Sequence, residues 1–150
     1  MKKVVFYAML ILPLGGCSAT DVGEKLAYRE FRYEMTVSEA LKTYSGVEAC
    51  RLRQRHFQDT YSRKTEEWAE TLEKIHVLIL MKFKWPKPIF EKVRAGQLQK
   101  GMSPIQAYCS VGFPESVRKG LKKGPEWSQA TLRAGNYLFF ENNKLRYWGL

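Results

Sequence analysis

Thiols and imidazoles are the side chains here best suited to chemistry, and there are few of them. Cys17, Cys50 and Cys109, with His56 and His76, are spread over 150 residues. Protein zinc sites draw cysteine and histidine from short, regular spacings. The two histidines stand far apart, and only Cys50 is near His56 in sequence, so no zinc motif forms. No Gly-x-Ser-x-Gly elbow, phosphate loop or metal-binding acid cluster occurs either. Glu66, Glu67 and Glu70 share a stretch with lysine and arginine, which suits solvated charges better than an acid–base pair. These residues point away from an enzyme, and neither a metal nor a diffusible cofactor is expected.

Cys17 has other chemistry in view. Met1-Lys2-Lys3 is a short positive start, and Val4 to Leu14 is apolar but much shorter than the roughly 20 residues that span a bilayer. Length and flanks suit a secretory signal peptide. Leu14-Gly15-Gly16-Cys17 resembles the bacterial lipobox. The resemblance implies that residues 1–16 are a lipoprotein signal peptide, cut away once the Cys17 thiol carries a diacylglyceryl group, after which the new amine is acylated. A thiol is the nucleophile that lipid transfer needs, and two glycines open the backbone to the peptidase. The plainer alternative is an ordinary signal peptide with Cys17 near the cut. One acyl chain binds a membrane marginally, whereas two or more hold firmly. Ser18, where an aspartate would favour inner-membrane retention, implies an outer-membrane lipoprotein, lipid-anchored and facing the periplasm.

Export puts Cys50 and Cys109 in an oxidising compartment, where an even remainder invites a disulfide. Two separately buried thiols are the alternative, since cysteine also packs as a small hydrophobe. The net charge is +10, of which the leader supplies only Lys2 and Lys3. A basic secreted chain could favour anionic lipid headgroups, peptidoglycan carboxylates or an acidic protein. Secretion makes nucleic acid a poor partner. The charge is spread along the chain, as a solvated basic surface would also have it.

The elements that must position these residues fall into three parts. Residues 17–25 suit a tether and 26–87 a mostly helical extension. Phe31, Tyr33 and Met35 alternate with Arg32 and Glu34 as in a half-buried strand, although Tyr28, Phe31 and Met35 also fit a helix. Thr36-Val37-Ser38-Glu39 is a capping box that should open a helix towards Tyr44, with Gly46 a stop or break. Val47 to Ile75 lacks proline and glycine, and Leu52, Phe57, Tyr61, Trp68, Leu72 and Ile75 mark a helical stripe. Arg51, Arg53, Arg55, Lys64 and Lys74 lie largely off it. The basic run Arg51 to His56 suits either an anionic partner or a solvated helix face. Ile75 to Trp85 is apolar enough for a buried helix or for a strand beginning near Val77, and Pro86 stops either.

Beyond Pro88 come two short helices, the second capped by Ser103-Pro104-Ile105-Gln106 and closed at Gly112. Strand patterns follow, starting near Glu115 to Val117. Arg118 to Lys123 suits a basic loop before a strand over Trp127 to Leu132. Two further strands flank the turn residues Asn142-Asn143. The whole is an α+β chain: a helical extension, then two short helices packed on a small antiparallel sheet.

Gly101-Met102-Ser103, Gln106-Ala107, Val111-Gly112, Pro114, a Trp strand and a closing Phe-Phe-x-Asn-Asn-x-Leu hairpin together resemble the SmpA/OmlA (BamE-like) lipoprotein domain over residues 88–148. The resemblance implies an ααβββ layout on an outer-membrane lipid anchor, and a scaffold or accessory role in an envelope assembly such as β-barrel insertion. Ala107 stands where a larger aliphatic is common, and the short family members lack the segment before residue 88. No binding residue carries over. Tyr137, Phe139, Tyr147 and Trp148 are the candidate partner surface, with a strand core as their plain alternative. A module for peptidoglycan or anionic lipid, and a secretion or conjugation lipoprotein, are the competing expectations.

Overall fold

The computed structural model describes residues 27–58, 65–120 and 126–150. Among them six helices precede a four-stranded antiparallel sheet, so the fold is α+β. The helices are α1 (27–33), α2 (Val37–Thr43), α3 (Gly46–Gln58), α4 (Glu66–Phe83), α5 (Lys87–Arg94) and α6 (Pro104–Val111). The strands are β1 (Ser116–Gly120), β2 (Trp127–Thr131), β3 (Tyr137–Glu141) and β4 (Lys144–Gly149), joined in that order as a meander. None of the described helices is long and apolar enough to cross a membrane.

Side-chain caps set most helix starts. The Thr36 amide donates to Glu39 Oε2 at 2.8 Å, while the Glu39 amide donates to Thr36 Oγ1 at 3.3 Å. A second reciprocal box opens α3, with Ser45 and Glu48 exchanging bonds of 2.7 and 3.2 Å. Thr65 Oγ1 accepts from the Trp68 amide at 3.1 Å and starts α4. The Ser103 amide donates to Gln106 Oε1 at 2.8 Å ahead of Pro104 in α6. Each box satisfies amides that a bare helix end would leave open.

One open reading is settled and two expectations change. Residues 27–33, whose spacing fits both a strand and a helix, are helical: Tyr28 and Phe31, three apart, are both buried, whereas Tyr33 points to solvent. The helix wins because its stripe has somewhere to go. The Tyr28 hydroxyl lies 2.7 Å from His56 Nδ1, and Phe31 meets Tyr44 edge-on at 6.0 Å. Next, the stretch from Val47 to Ile75 holds two helices, α3 ending at Gln58 and α4 starting at Glu66. Trp68, near the start of α4, stacks on His56 near the end of α3, and Phe83, at the end of α4, sits against Gly46, the first residue of α3. The two helices therefore run antiparallel, and their stripes bury each other. Gly46, expected as a stop or break, instead begins α3, since α2 has already ended at Thr43. Finally, Arg118 and Lys119 belong to β1 and not to a loop, and the sheet has four strands where the ααβββ layout has three. Charged residues on an edge strand discourage pairing with another chain.

The apolar run after Ile75 continues α4. Ile75, Leu78 and Ile79 face inward while Val77, Leu80 and Met81 are exposed, which is helical periodicity and not alternation. Lys84 then turns left-handed, at φ 50°, just before Pro86. In the sheet, Ala130, Leu138, Phe140 and Leu145 face the helices, and Tyr108 of α6 meets Phe140 edge-on at 5.8 Å. Asn142 and Asn143 both take positive φ in the β3–β4 turn. Gly101, at φ 88°, and Met102 exchange backbone hydrogen bonds with Leu145 at 2.9 and 2.8 Å, covering part of the β4 edge. Buried residues from the helices and from the sheet form one hydrophobic cluster.

Candidate functional site

Cys17, the leader and the tether lie outside the described residues. Cys50 and Cys109 are joined as a disulfide between α3 and α6, with both residues buried and their Cα atoms 4.9 Å apart. That separation lies within the usual range for the bond.

One turn beyond Cys50, Arg53 ties the same two helices again. Its Nη1 donates to the carbonyls of Cys109 and Ser110 at 2.8 and 2.9 Å, and Nη2 donates to Arg94 O at 3.3 Å. Last-turn carbonyls have no intrahelical partner and carry negative partial charge. A guanidinium aimed at the ends of α6 and α5 answers both. The group also lies 4.8 Å over the Phe57 ring. Arg53 is only 5% exposed and has no carboxylate partner among the described residues. Burial draws its pKa down from the usual guanidinium range to about 10. Helical spacing placed Arg53 on the solvated side of α3; the ends of α5 and α6, packed over that side, enclose it.

His76 of α4 is also buried, edge-on to Phe90 at 6.4 Å. Its Nδ1 is 3.5 Å from Glu73 Oε1, which already binds Arg94 Nη2 at 2.6 Å. Burial, then the charge of Arg53, lowers its pKa from 6.5 to about 4 against the opposing pull of Glu73. The unfolded chain takes up this proton near 6.5. The folded chain resists until about 4. Stability is therefore full above pH 6.5 and falls as pH drops towards 4, by roughly 3 kcal/mol in all. Chemical denaturation between about pH 7 and about pH 5 should show this slope, and His76→Leu should flatten it.

The outer face of the sheet carries the aromatics. Directly opposite residues share a face, so register sorts them: Arg118, Gln129, Phe139 and Tyr147 form one outer row. Trp127 and Tyr137 stand in the rows on either side. Trp127 lies nearly parallel to Phe139, with centroids 6.0 Å apart and planes at 18°, and Phe139 meets Tyr147 at 6.1 Å. Two glycines make this possible. A Cβ at Gly120 would overlap the Trp127 indole, and one at Gly149 would fall on the Tyr137 ring. The rings therefore rest on bare backbone across the strands. Phe139 is half-buried among its neighbours, while Tyr147 is 63% exposed, with Lys100 Nζ 5.8 Å from its ring.

Of the four candidate surface residues, the structure brings together Tyr137, Phe139 and Tyr147. Trp148 departs from the set: it pairs with Leu138 and so belongs to the opposite, helix-covered face, half-exposed only because β4 is an edge. Trp127 takes its place. Its signal was a tryptophan in phase with Gln129 and Thr131, but strand order alone matches it to Gly120 and Phe139. Among the described residues no three His, Cys, Asp or Glu side chains converge as metal ligands.

No family model, curated protein or solved structure matches this chain.

Proposed function

We propose that the protein is a lipid-anchored scaffold of the bacterial envelope, held at the outer membrane through Cys17, whose bare aromatic sheet face docks a partner protein. The observation that carries the docking half is the outer face itself. Trp127, Phe139, Tyr147 and Tyr137 form one apolar surface with no described helix over it. Contiguous exposed apolar surface marks interaction sites, and tyrosine and tryptophan dominate binding energy where it has been dissected. The anchoring half rests on the lipobox resemblance at Leu14 to Cys17. The assembly role rests on the SmpA/OmlA (BamE-like) resemblance of residues 88–148, whose helices-then-sheet order suits the fold. The disulfide and the Arg53 clamp would keep such a scaffold rigid outside the cell.

Membrane fractions cross-linked in cells and purified through this chain test both halves. Cys17→Ala should release the protein from the membrane fraction. A double change, Trp127→Ala with Tyr147→Ala, should leave the anchor intact and reduce the recovered envelope partner at least about tenfold, a loss of about 1.4 kcal/mol or more. Equal recovery of that partner by the double variant would remove the sheet face from the proposal.

A further inference from the structure

Two depressions run together on the α3 side of the molecule. The larger, about 480 Å³, lies between α3, the exits of α5 and α6 and the β2–β3 turn, and the smaller, about 190 Å³, continues it past Pro114. They share Gln54, Gln58, Phe113 and Arg133. The larger has the volume of an ordinary ligand pocket, roughly 300–1,000 Å³. Together the two are roomier than one small ion needs.

Charge in this cleft is one-sided. Among the described residues Arg53, Arg94 and Arg133 line the larger depression, and no Asp or Glu side chain does. Arg94 is already engaged by Glu73 outside it. Arg133 is exposed and comes no nearer than 3.8 Å to Glu115, the one described acid bordering the smaller depression. Arg53 is the buried member. Its bonds go to carbonyls, and its Nε has no hydrogen-bond partner among the described residues. A buried cation with no anion opposite it is costly to fold around. Departures of this kind concentrate where a protein has a task other than folding. The walls are mixed, with Phe57, Phe113 and Leu132 supplying apolar surface between the cations. Gly96 and Gly112, both at positive φ, keep the rim low at the two helix exits.

The geometry points to this composite cleft as the seat of an acidic peptide segment, a carboxylate on Arg133, its charge also favoured by the buried cation of Arg53, and an apolar side chain among Phe57, Phe113 and Leu132. The exposed Arg133 guanidinium presents paired donors to a carboxylate, which favours arginine over lysine there. The volume of the cleft and its mixture of cations and apolar wall suit a peptide segment better than a lone anion. This surface is distinct from the aromatic sheet face, and its occupancy requires neither the lipid nor that face.

The mature chain, purified and folded, is titrated with short synthetic peptides in which Asp or Glu alternates with Leu or Phe. Counterparts carrying Asn or Gln are run beside them. The acidic set should bind at least about tenfold more tightly than the amide set and should weaken as salt rises. Arg133→Glu, on an exposed side chain, should cost the acidic set about tenfold or more at an unchanged melting temperature, and Arg133→Lys should lose less. Amide resonances of Gly96 and Gly112 should shift with the acidic peptides. The proposal fails if no acidic peptide outbinds its amide counterpart, or if Arg133→Glu binds like the parent chain. It also fails if inorganic phosphate or vesicles of anionic lipid bind this cleft as tightly as the peptides, since the cleft would then be a general anion site.

Discussion

Replacing Cys50 and Cys109 together by alanine, or reducing the pair, should lower the stability of the fold by about 4 kcal/mol. The bond joins residues 59 apart in sequence. In the chain-entropy account, a closed loop of that length removes about 4 kcal/mol of freedom from the unfolded chain. Reduction isolates this term, because the thiols stay where they are packed. The alanine pair adds a small cavity on top. Against a typical total of about 5–15 kcal/mol, such a loss is a large share of what holds a domain together. Denaturant unfolding with and without reductant measures it directly. The midpoint should fall on reduction, and the slope should rise as the unfolded chain opens further. A midpoint indifferent to reductant would show that the bond constrains nothing that folding does not already constrain.

Arg53→Met should cost about as much, roughly 4 kcal/mol, for a different reason. The change removes charge-assisted bonds to Cys109 O, Ser110 O and Arg94 O in one step. Buried acceptors left without a donor cost about 1–3 kcal/mol each. The neighbouring cleft admits water, which keeps the total below the full sum. Relief from burying a charge with an unpartnered Nε subtracts further. Arg53→Lys should recover less than half, because one ammonium on a shorter reach cannot serve the ends of both α5 and α6. Hydrogen exchange offers the sharper readout: amides near the exits of α5 and α6 should open first in the methionine variant. The disulfide and Arg53 both bind α3 to α6, so the two losses should combine to less than their sum. An Arg53→Met protein that unfolds at the parent midpoint would mean that water already serves those carbonyls.

Much of the scaffold was legible because its signals are local. Thr36 with Glu39 and Ser103 with Gln106 mark helix starts through atoms three residues apart. Asn142-Asn143 marks a hairpin through two residues that tolerate positive φ. Ser45 with Glu48 and Thr65 with its following glutamates are just as local, but Gly46 inside one signal and a continuous apolar stripe across the other obscure them. Residues 27–33 fit two periods, and such a stretch is settled by what lies beneath it, here Tyr44 and His56.

The candidate sites divide along the same line. A period of two puts Tyr137 and Phe139 on one face of β3, but only the pairing of β3 with β4 adds Tyr147 to them and removes Trp148. Sequence alone thus determined the α+β order of elements, most caps, the hairpin turn and two of the outer aromatics, all set by neighbours a few residues away. Tertiary structure alone decided the rest. It put Trp127 over Gly120, turned Trp148 to the other face, closed Cys50 on Cys109 and buried Arg53 against two helix ends. These depend on which elements meet in space, and burial of a charge or stacking of a ring is a property of the meeting, not of either segment by itself.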